Sequence, residues 1–523
     1  MPPAQSPSAA APTLPDSPPD GAAPADATPA DATPDDAAPS RAGELFGHPR
    51  GLAVLFGTEM WERFSYYGMR ALLVLYMVKH LSEPGRAEQV LGWAELRGAL
   101  EIVVGPLGVQ AFASWVYGFY TGLVYLTPLL GGLLADRLLG QRRTVVLGAA
   151  LMAAGHFMMA FETLLFPALL TLILGNGAFK PNIVTQVGGL YGPDDARRDR
   201  AYSIFYVGIN IGAFLAPLVC GSLGETAGWH WGFGAAGVGM LAGLVLYLAG
   251  GATLPPDAAT RAAAAAKAAP ETSGRGLARH ERRAILAILL LCVPVTLFWA
   301  TYEQDGNTLV LWIDGHTDRT VALLGYTATI PTTWFLAVNP FLIFAFTPVI
   351  VEVWAWQSRR GREPSTVGKM ALGCFGVALA NLIMAAAAFQ ASEAGPAGQA
   401  SWLWVLAYFV VLTLGELYLS PVGFSLVSAV APLRHVSLLM AVWLGTSFTG
   451  NLLGGALGSL WSLMDKATFF LMIAAIAGLA GAMIATFRRP LHDLLHAPPE
   501  ATARDEPATP AERTGEARPA AGA

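Results

Sequence analysis

Charge is what this chain has least of: only 13% of its 523 residues are Asp, Glu, Lys or Arg, about half the share of a soluble domain. With 54% hydrophobic residues and a mean hydropathy of +0.48, an ordinary soluble protein is excluded. Cysteine is nearly absent as well. Cys220, Cys292 and Cys374 lie far apart in apolar runs, so they read as small packing residues rather than a disulfide framework or a metal site. The nine histidines, among them His48, His156 and His435, form no metal-ligand spacing, and no Ser or Cys stands beside a base. That argues against an intramembrane enzyme and against a bound cofactor. A net charge of −5 offers nothing to a nucleic acid. The N-terminus lacks a basic start followed by an apolar core, so no cleaved signal peptide is expected.

Long apolar runs are what the chain does have. Residues 1–43 are Pro, Ala, Asp, Ser and Thr without apolar periodicity, and 490–523 are similar; both read as disordered tails that cannot bury enough surface to order themselves. Between them lie about twelve segments long enough to span, given that roughly 20 residues cross a bilayer. They fall near 52–79, 112–139, 143–165, 167–190, 201–223, 230–251, 284–312, 329–356, 367–390, 402–430, 436–461 and 467–487. An all-α membrane protein is expected. Cations cluster in alternate loops, at Arg137, Arg142 and Arg143, then Arg197, Arg198 and Arg200, then 261–283, then Arg359, Arg360 and Arg362. This pattern puts both termini in the cytoplasm. Residues 252–283 are Ala-rich, and too polar and short for a membrane hairpin, so they read as a cytoplasmic linker between a bundle over 44–251 and a second over 284–489. A weak repeat agrees: Leu126-Thr127-Pro128 precedes Arg142-Arg143 much as Phe346-Thr347-Pro348 precedes Arg359-Arg360, an offset of 220 residues. Two six-helix halves with a site between them are a common transporter plan. The loop over 80–111 contains an amphipathic stretch, 92–104, expected as an interfacial helix.

Charges inside a spanning segment are costly and therefore point to function. The run Glu59-Met60-Trp61-Glu62-Arg63-Phe64-Ser65-Tyr66-Tyr67-Gly68-Met69-Arg70 holds two carboxylates and two guanidiniums. On a helix, Glu59, Glu62, Arg63, Tyr66, Tyr67 and Arg70 share one broad stripe, with each carboxylate within reach of a guanidinium. Lys180 lies mid-segment before Pro181, which removes a helical hydrogen bond. Glu303, four residues after Trp299, is a candidate partner for Arg70 on the external side. Glu416 stands alone in a later apolar segment.

The acidic-x-x-acidic-Arg-Phe-x-Tyr-Tyr-Gly pattern, taken with Gly175-Asn176-Gly177-Ala178-Phe179-Lys180-Pro181-Asn182, resembles the proton-dependent oligopeptide transporter family. Further matches extend over residues 50–490. They include Tyr125 with Thr127-Pro128, Phe205-Tyr206 with Asn210, Phe298-Trp299 with Glu303-Gln304, Asn339-Pro340, Gly415-Glu416-Leu417 with Ser420-Pro421, and Trp443. Gly131-Gly132-Leu133-Leu134-Ala135-Asp136-Arg137, running on to Arg143, is similar to the loop motif of the major facilitator fold. The resemblance implies that fold, about twelve helices, and a multi-pass protein of the bacterial inner (plasma) membrane. It implies proton coupling through Glu59, Glu62, Arg63 and Glu303, with protons as the coupling ion. It implies recognition of peptide termini by Arg63, Lys180 and Glu416, and a substrate cavity that also uses Tyr67, Arg70, Tyr125, Tyr206, Asn210, Trp299, Asn339, Ser420 and Trp443. Expected partners are di- and tripeptides and membrane lipid; no oligomer is required.

The residue chemistry gives independent support. A zwitterion needs an anion on one wall and cations on the other, and Glu416 set against Arg63 and Lys180 supplies both, with Lys180 and Glu416 expected to attract each other when no substrate is present. Burial and a nearby guanidinium pull a carboxyl's proton affinity in opposite directions, which brings proton exchange within reach of working pH. Alternatives stay open at this point. The motif carboxylates can instead be permanently ionised structural pairs, Glu303 a plain helix end near the loop at Asp314, the aromatics packing or interface residues, and Asn210 and Asn339 hydrogen-bonding glue between helices. The same fold can also carry another small zwitterion or anion, such as nitrate or a metabolite, or act as a peptide sensor.

Overall fold

The computed structural model describes residues 44–192, 195–257, 279–323, 325–395, 398–432 and 435–487. The expected tails and most of the linker lie outside the described residues. All the helices belong to the unit Leu45–Ala523.

In the first half, α1 (Arg50–Leu75) continues as a π-helical turn to His80, and α2 (Trp93–Val104) fills the long loop. One rod follows, made of α3 (Val109–Leu126) and α4 (Pro128–Leu134). Next come α5 (Gln141–Met158), α6 (Leu165–Gly189), α7 (Arg198–Ala216), α8 (Ser222–Thr226) and α9 (Trp229–Ala249). The second half comprises α10 (Arg279–Tyr302), α11 (Val310–His316), α12 (Val338–Arg359), α13 (Thr366–Glu393), α14 (Trp402–Val430), α15 (Val436–Gly458) and α16 (Lys466–Thr486). Strand is confined to short pieces such as the hairpin of Thr320–Leu323 with Tyr326–Thr329. Among the described residues, nine helical stretches are long and apolar enough to cross a membrane. The chain has the helical fold of a multi-pass membrane protein, and helix occurs at every segment expected to span.

Buried apolar side chains form two main clusters, one drawn almost wholly from 52–254 and one from 287–484. Between the halves, α3 and α15 meet at glycine: a Cβ on Gly118 would stand 2.8 Å from the Cα of Gly455, so any side chain there would force the helices apart. Small residues set the closest helix contacts in membranes because no water-driven force presses helices together. Within the first half, Gly131 lies against the backbone of Gly177, and Asn182 Nδ2 donates to the Gly131 carbonyl at 3.3 Å. The small residues of the loop motif thus bring the rod of α3 and α4 onto α6.

The seventh segment differs from expectation. A continuous helix over 284–312 is predicted, but α10 ends at Tyr302 and a π-helical turn covers Asp305–Leu309. Gly306, Asn307 and Thr308 are poor helix formers, and the Asp305 carboxylate accepts the Gly306 N–H at 2.6 Å, so the break holds an acidic side chain in the interior. In the next segment, Pro331 precedes a 3₁₀ turn (Thr332–Ala337) that opens α12.

Candidate substrate cavity and charge clusters

Helix α1 carries the charges in two groups. In the first, the Arg63 guanidinium grips Glu62 through Nε at 2.5 Å and Nη2 at 2.6 Å, and its Nε lies 3.6 Å from Glu59. Asn176 Nδ2, from α6, donates to Glu62 Oε1 at 3.1 Å. Lys180, one helical turn further along α6, pairs with Glu59 Oε1. Both carboxylates are fully buried, and Glu59 Oε2 has no hydrogen-bond partner. Tyr66 sits under the guanidinium, with its ring centre 4.8 Å from Arg63 Cζ, a cation–π contact.

The second group joins the halves. Arg70 Nη2 donates to Glu303 at 2.7 Å and to Asp305 at 2.9 Å, and its Nε donates to Tyr117 Oη at 2.7 Å. The Arg70–Glu303 pair is therefore formed as the spacing suggested. Two carboxylates face one guanidinium, leaving negative charge in excess.

More cross-half bonds lie at the end of the bundle where α1 terminates. Lys79 pairs with Asp314 at 2.9 Å. The Glu225 carboxylate accepts the backbone N–H groups of Thr332 and Thr333 at 2.9 and 2.8 Å and the Thr333 hydroxyl at 2.7 Å, with Arg319 4.0 Å away. Ser114 donates to Asn307 at 2.8 Å, and Gln110 to the Gly458 carbonyl at 3.0 Å. At the opposite end Leu129, Leu130 and Leu133 are exposed, and no side-chain hydrogen bond joins the halves there among the described residues. Among the described residues, side-chain bonds between the halves thus close one end of the bundle and not the other.

Between the halves lies a cavity of about 260 Å³, just below the usual range for small-molecule sites. Ten of the expected residues line it: Tyr67, Arg70, Tyr125, Tyr206, Asn210, Trp299, Glu303, Asn339, Glu416 and Ser420. Glu416 Oε2 accepts from Tyr302 Oη at 2.7 Å and from Asn339 Nδ2 at 2.9 Å. No cation stands at ion-pair distance from it among the described residues.

Arg63, Lys180 and Trp443 are not on this wall. Arg63 is turned onto Glu62, and Lys180 onto Glu59 rather than Glu416. The expected Lys180–Glu416 attraction is therefore not a contact in this conformation, because each has a nearer partner in its own half. Trp443 is buried, its ring packed where a Cβ on Gly423 would lie. Tyr117, Tyr302 and Asp305 are not singled out by the sequence, and Asn176 enters there only as part of its motif, without a role. For Asp305 a signal existed, a second carboxylate in an apolar segment two residues from Glu303.

The POT family model matches residues 142–257 and 274–476. The chain belongs to the POT family. The matched stretches begin after α4, so the charged motif of α1 lies outside them and stands on its own pattern. A peptide transporter of Yersinia enterocolitica is 33% identical over 477 residues, spanning 79% of this chain and 88% of the relative. A di-/tripeptide transporter of Lactococcus lactis is 32% identical over 505 residues, spanning 86% and 97%. A solved POT family transporter in complex with 5-aminolevulinic acid superposes with a TM-score of 0.72 at 27% identity, covering 86% of this chain and 98% of that one. These relatives are transporters, not enzymes.

Proposed function

We propose that this POT family member is a proton-coupled symporter that imports di- and tripeptides by alternating access. The observation that carries the reading is Glu416, a carboxylate on the cavity wall held only by the neutral donors Tyr302 and Asn339. A charge withdrawn from water needs a counter-charge, and the ammonium of a peptide supplies it. Lys180 and Arg63 then serve the peptide carboxylate. For Lys180 to do so, Glu59 must release it, and a proton on Glu59 removes the charge that holds it. By hydrogen-bond accounting Glu59 is the natural acceptor, since its Oε2 is unpartnered while Glu62 is gripped by Arg63 and Asn176. Glu303 is the second candidate proton site, because Arg70 alone must balance both Glu303 and Asp305.

On this reading all twelve expected segments cross a bacterial inner membrane, and both termini lie in the cytoplasm. The helices below the apolar threshold include α1, where the coupling charges themselves lower the hydropathy. The closed end is external and the open end cytoplasmic, so opening outward must break the Arg70, Lys79 and Glu225 contacts.

A second reading keeps the site and changes the cargo to another small molecule with an amine and a carboxylate. The relative bound to 5-aminolevulinic acid favours it. Uptake of labelled dialanine into proteoliposomes under an inward proton gradient and a negative interior potential tests both. Accumulation that a protonophore abolishes and that unlabelled tripeptide outcompetes better than 5-aminolevulinic acid supports the peptide reading. Binding without accumulation would instead identify a sensor.

A further inference from the structure

We propose that a groove on the outer flank of the first half holds one acyl chain of a membrane glycerophospholipid. The groove, of about 670 Å³, lies between α1, α7 and α9, with Phe157 of α5 and Leu223 of α8 at its edges, and every residue lining it is apolar or glycine. Two of those walls belong to stretches apolar enough to cross a membrane, so the groove faces hydrocarbon rather than water or the substrate cavity. A chain-sized hollow there has almost no polar surface to keep water in it, and left empty its walls would forfeit their dispersion contacts. The surrounding bilayer supplies the one apolar solute always at hand.

Its dimensions fit one leaflet. Along α9 the lining runs from Trp231 to Gly239, which at 1.5 Å per residue is about 12 Å, close to the roughly 15 Å of hydrocarbon in half a bilayer. Trp231 is 59% exposed and stands near the closed end, where an aromatic residue marks the boundary with the headgroups. From there the groove descends past Val238 to its floor. That floor is the back of the charged helix: Met60, Trp61 and Phe64 line it, while Glu59, Glu62 and Arg63, interleaved with them in sequence, turn inward. The packing behind the groove is tight, since a Cβ on Gly239 would stand 2.5 Å from the Phe64 ring. The acyl chain therefore lies against the helix stretch that carries the coupling carboxylates.

Glycine also supplies the test. A Cβ on Gly234, which lines the groove, meets nothing within 4 Å, so the Gly234→Leu side chain starts from open space and is directed to fill the groove. The full chain is reconstituted in vesicles containing phosphatidylethanolamine with a diazirine on its acyl chain, photolysed, and the labelled positions mapped by mass spectrometry. Labelling over 212–239 is expected to exceed that at the exposed Leu372, Leu379 and Leu382 of α13 by about fivefold per residue. Gly234→Leu should bring it down to the α13 level; Val238→Trp, built on an exposed side chain, is the second variant should the first not fold. Labelling no greater than at α13 would make the groove ordinary bilayer contact and overturn the proposal. So would efficient disulfide formation between copies carrying Val238→Cys, which would give the groove to a second copy of the chain.

Discussion

Glu416→Gln separates the ammonium site from every other contribution to binding. The substitution keeps a carbonyl oxygen for Tyr302 and Asn339, which donate at 2.7 and 2.9 Å, and removes only the negative charge. Losing one member of a desolvated charge pair typically costs 3–5 kcal/mol. Because Glu416 is half-buried on the wall of an accessible cavity, the lower figure applies: about 3 kcal/mol, or roughly two orders of magnitude in the Kd for dialanine. Calorimetric titration of detergent-solubilised protein measures this. The decisive comparison uses N-acetyl-dialanine, which lacks the ammonium. Acetylation should weaken binding to the wild type by about the same two orders, yet cost Glu416→Gln only a few-fold, because the contact is already gone. If acetylation costs the same free energy in both proteins, Glu416 does not hold the amine and the zwitterion assignment fails.

Glu59→Gln should abolish gradient-driven accumulation while leaving counterflow exchange, since Lys180 is then permanently free; full accumulation by this variant would remove Glu59 from the coupling path. Glu62→Gln should also uncouple transport, and in addition lower the melting temperature, because it leaves Arg63 without its bidentate partner; an unchanged melting temperature together with full accumulation would leave Glu62 with neither role. Glu225→Ala deletes three hydrogen bonds between the halves, each worth about 1 kcal/mol at a partly exposed carboxylate, and should populate the outward-open state, read as a longer distance between spin labels at the closed end; an unchanged distance distribution would show that the contact does not gate. Outside the membrane segments, the Glu101 carboxyl is held below the ordinary carboxylate range by the Leu107 N–H and then by Arg97. A lowered value contributes stability at neutral pH that is lost as pH falls through the carboxylate range, so the protection of the Leu107 amide, taken against its intrinsic exchange rate at each pH, should fall on acidification in the wild type but not in Glu101→Gln.

The sequence disclosed the charge clusters better than their wiring. Glu59, Glu62, Arg63 and Arg70 stand out because four charges in an apolar run have few structural excuses, and local spacing then suffices to pair Arg63 with the carboxylates of its own helix. Lys180 shows the limit of that reasoning. It could face Glu59 in its own half or Glu416 in the other, and only the packing of α6 on α1 decides between them. Asn176, one turn before Lys180, is ordinary by residue type and becomes a ligand of Glu62 only once the two helices cross. The helix break after Tyr302 was legible in Gly306, Asn307 and Thr308, yet the apolar residues on either side, Phe298 and Val310 to Ile313, masked it in a reading based on hydropathy.

The two clusters of α1 lie about two helical turns apart but take their partners from different halves of the chain, which constrains the coupling in the proposed mechanism. Glu59, Glu62, Arg63, Asn176 and Lys180 all sit in the first half, so rocking the halves breaks none of their bonds. In the proposed mechanism a proton can therefore change that cluster in either orientation of the halves. Arg70 is different: both of its carboxylate partners are in the second half, and separating them would strand charges on both sides at 3–5 kcal/mol for each broken pair. A proton on Glu303 or Asp305 lowers that cost by leaving only one ionised partner. Under the proposed proton-coupled mechanism, the closed end opens most readily when Glu303 or Asp305 carries a proton, while a proton on Glu59 frees Lys180 for substrate. Because helix α1 carries both clusters, that mechanism needs two protonation events and no separate relay between them.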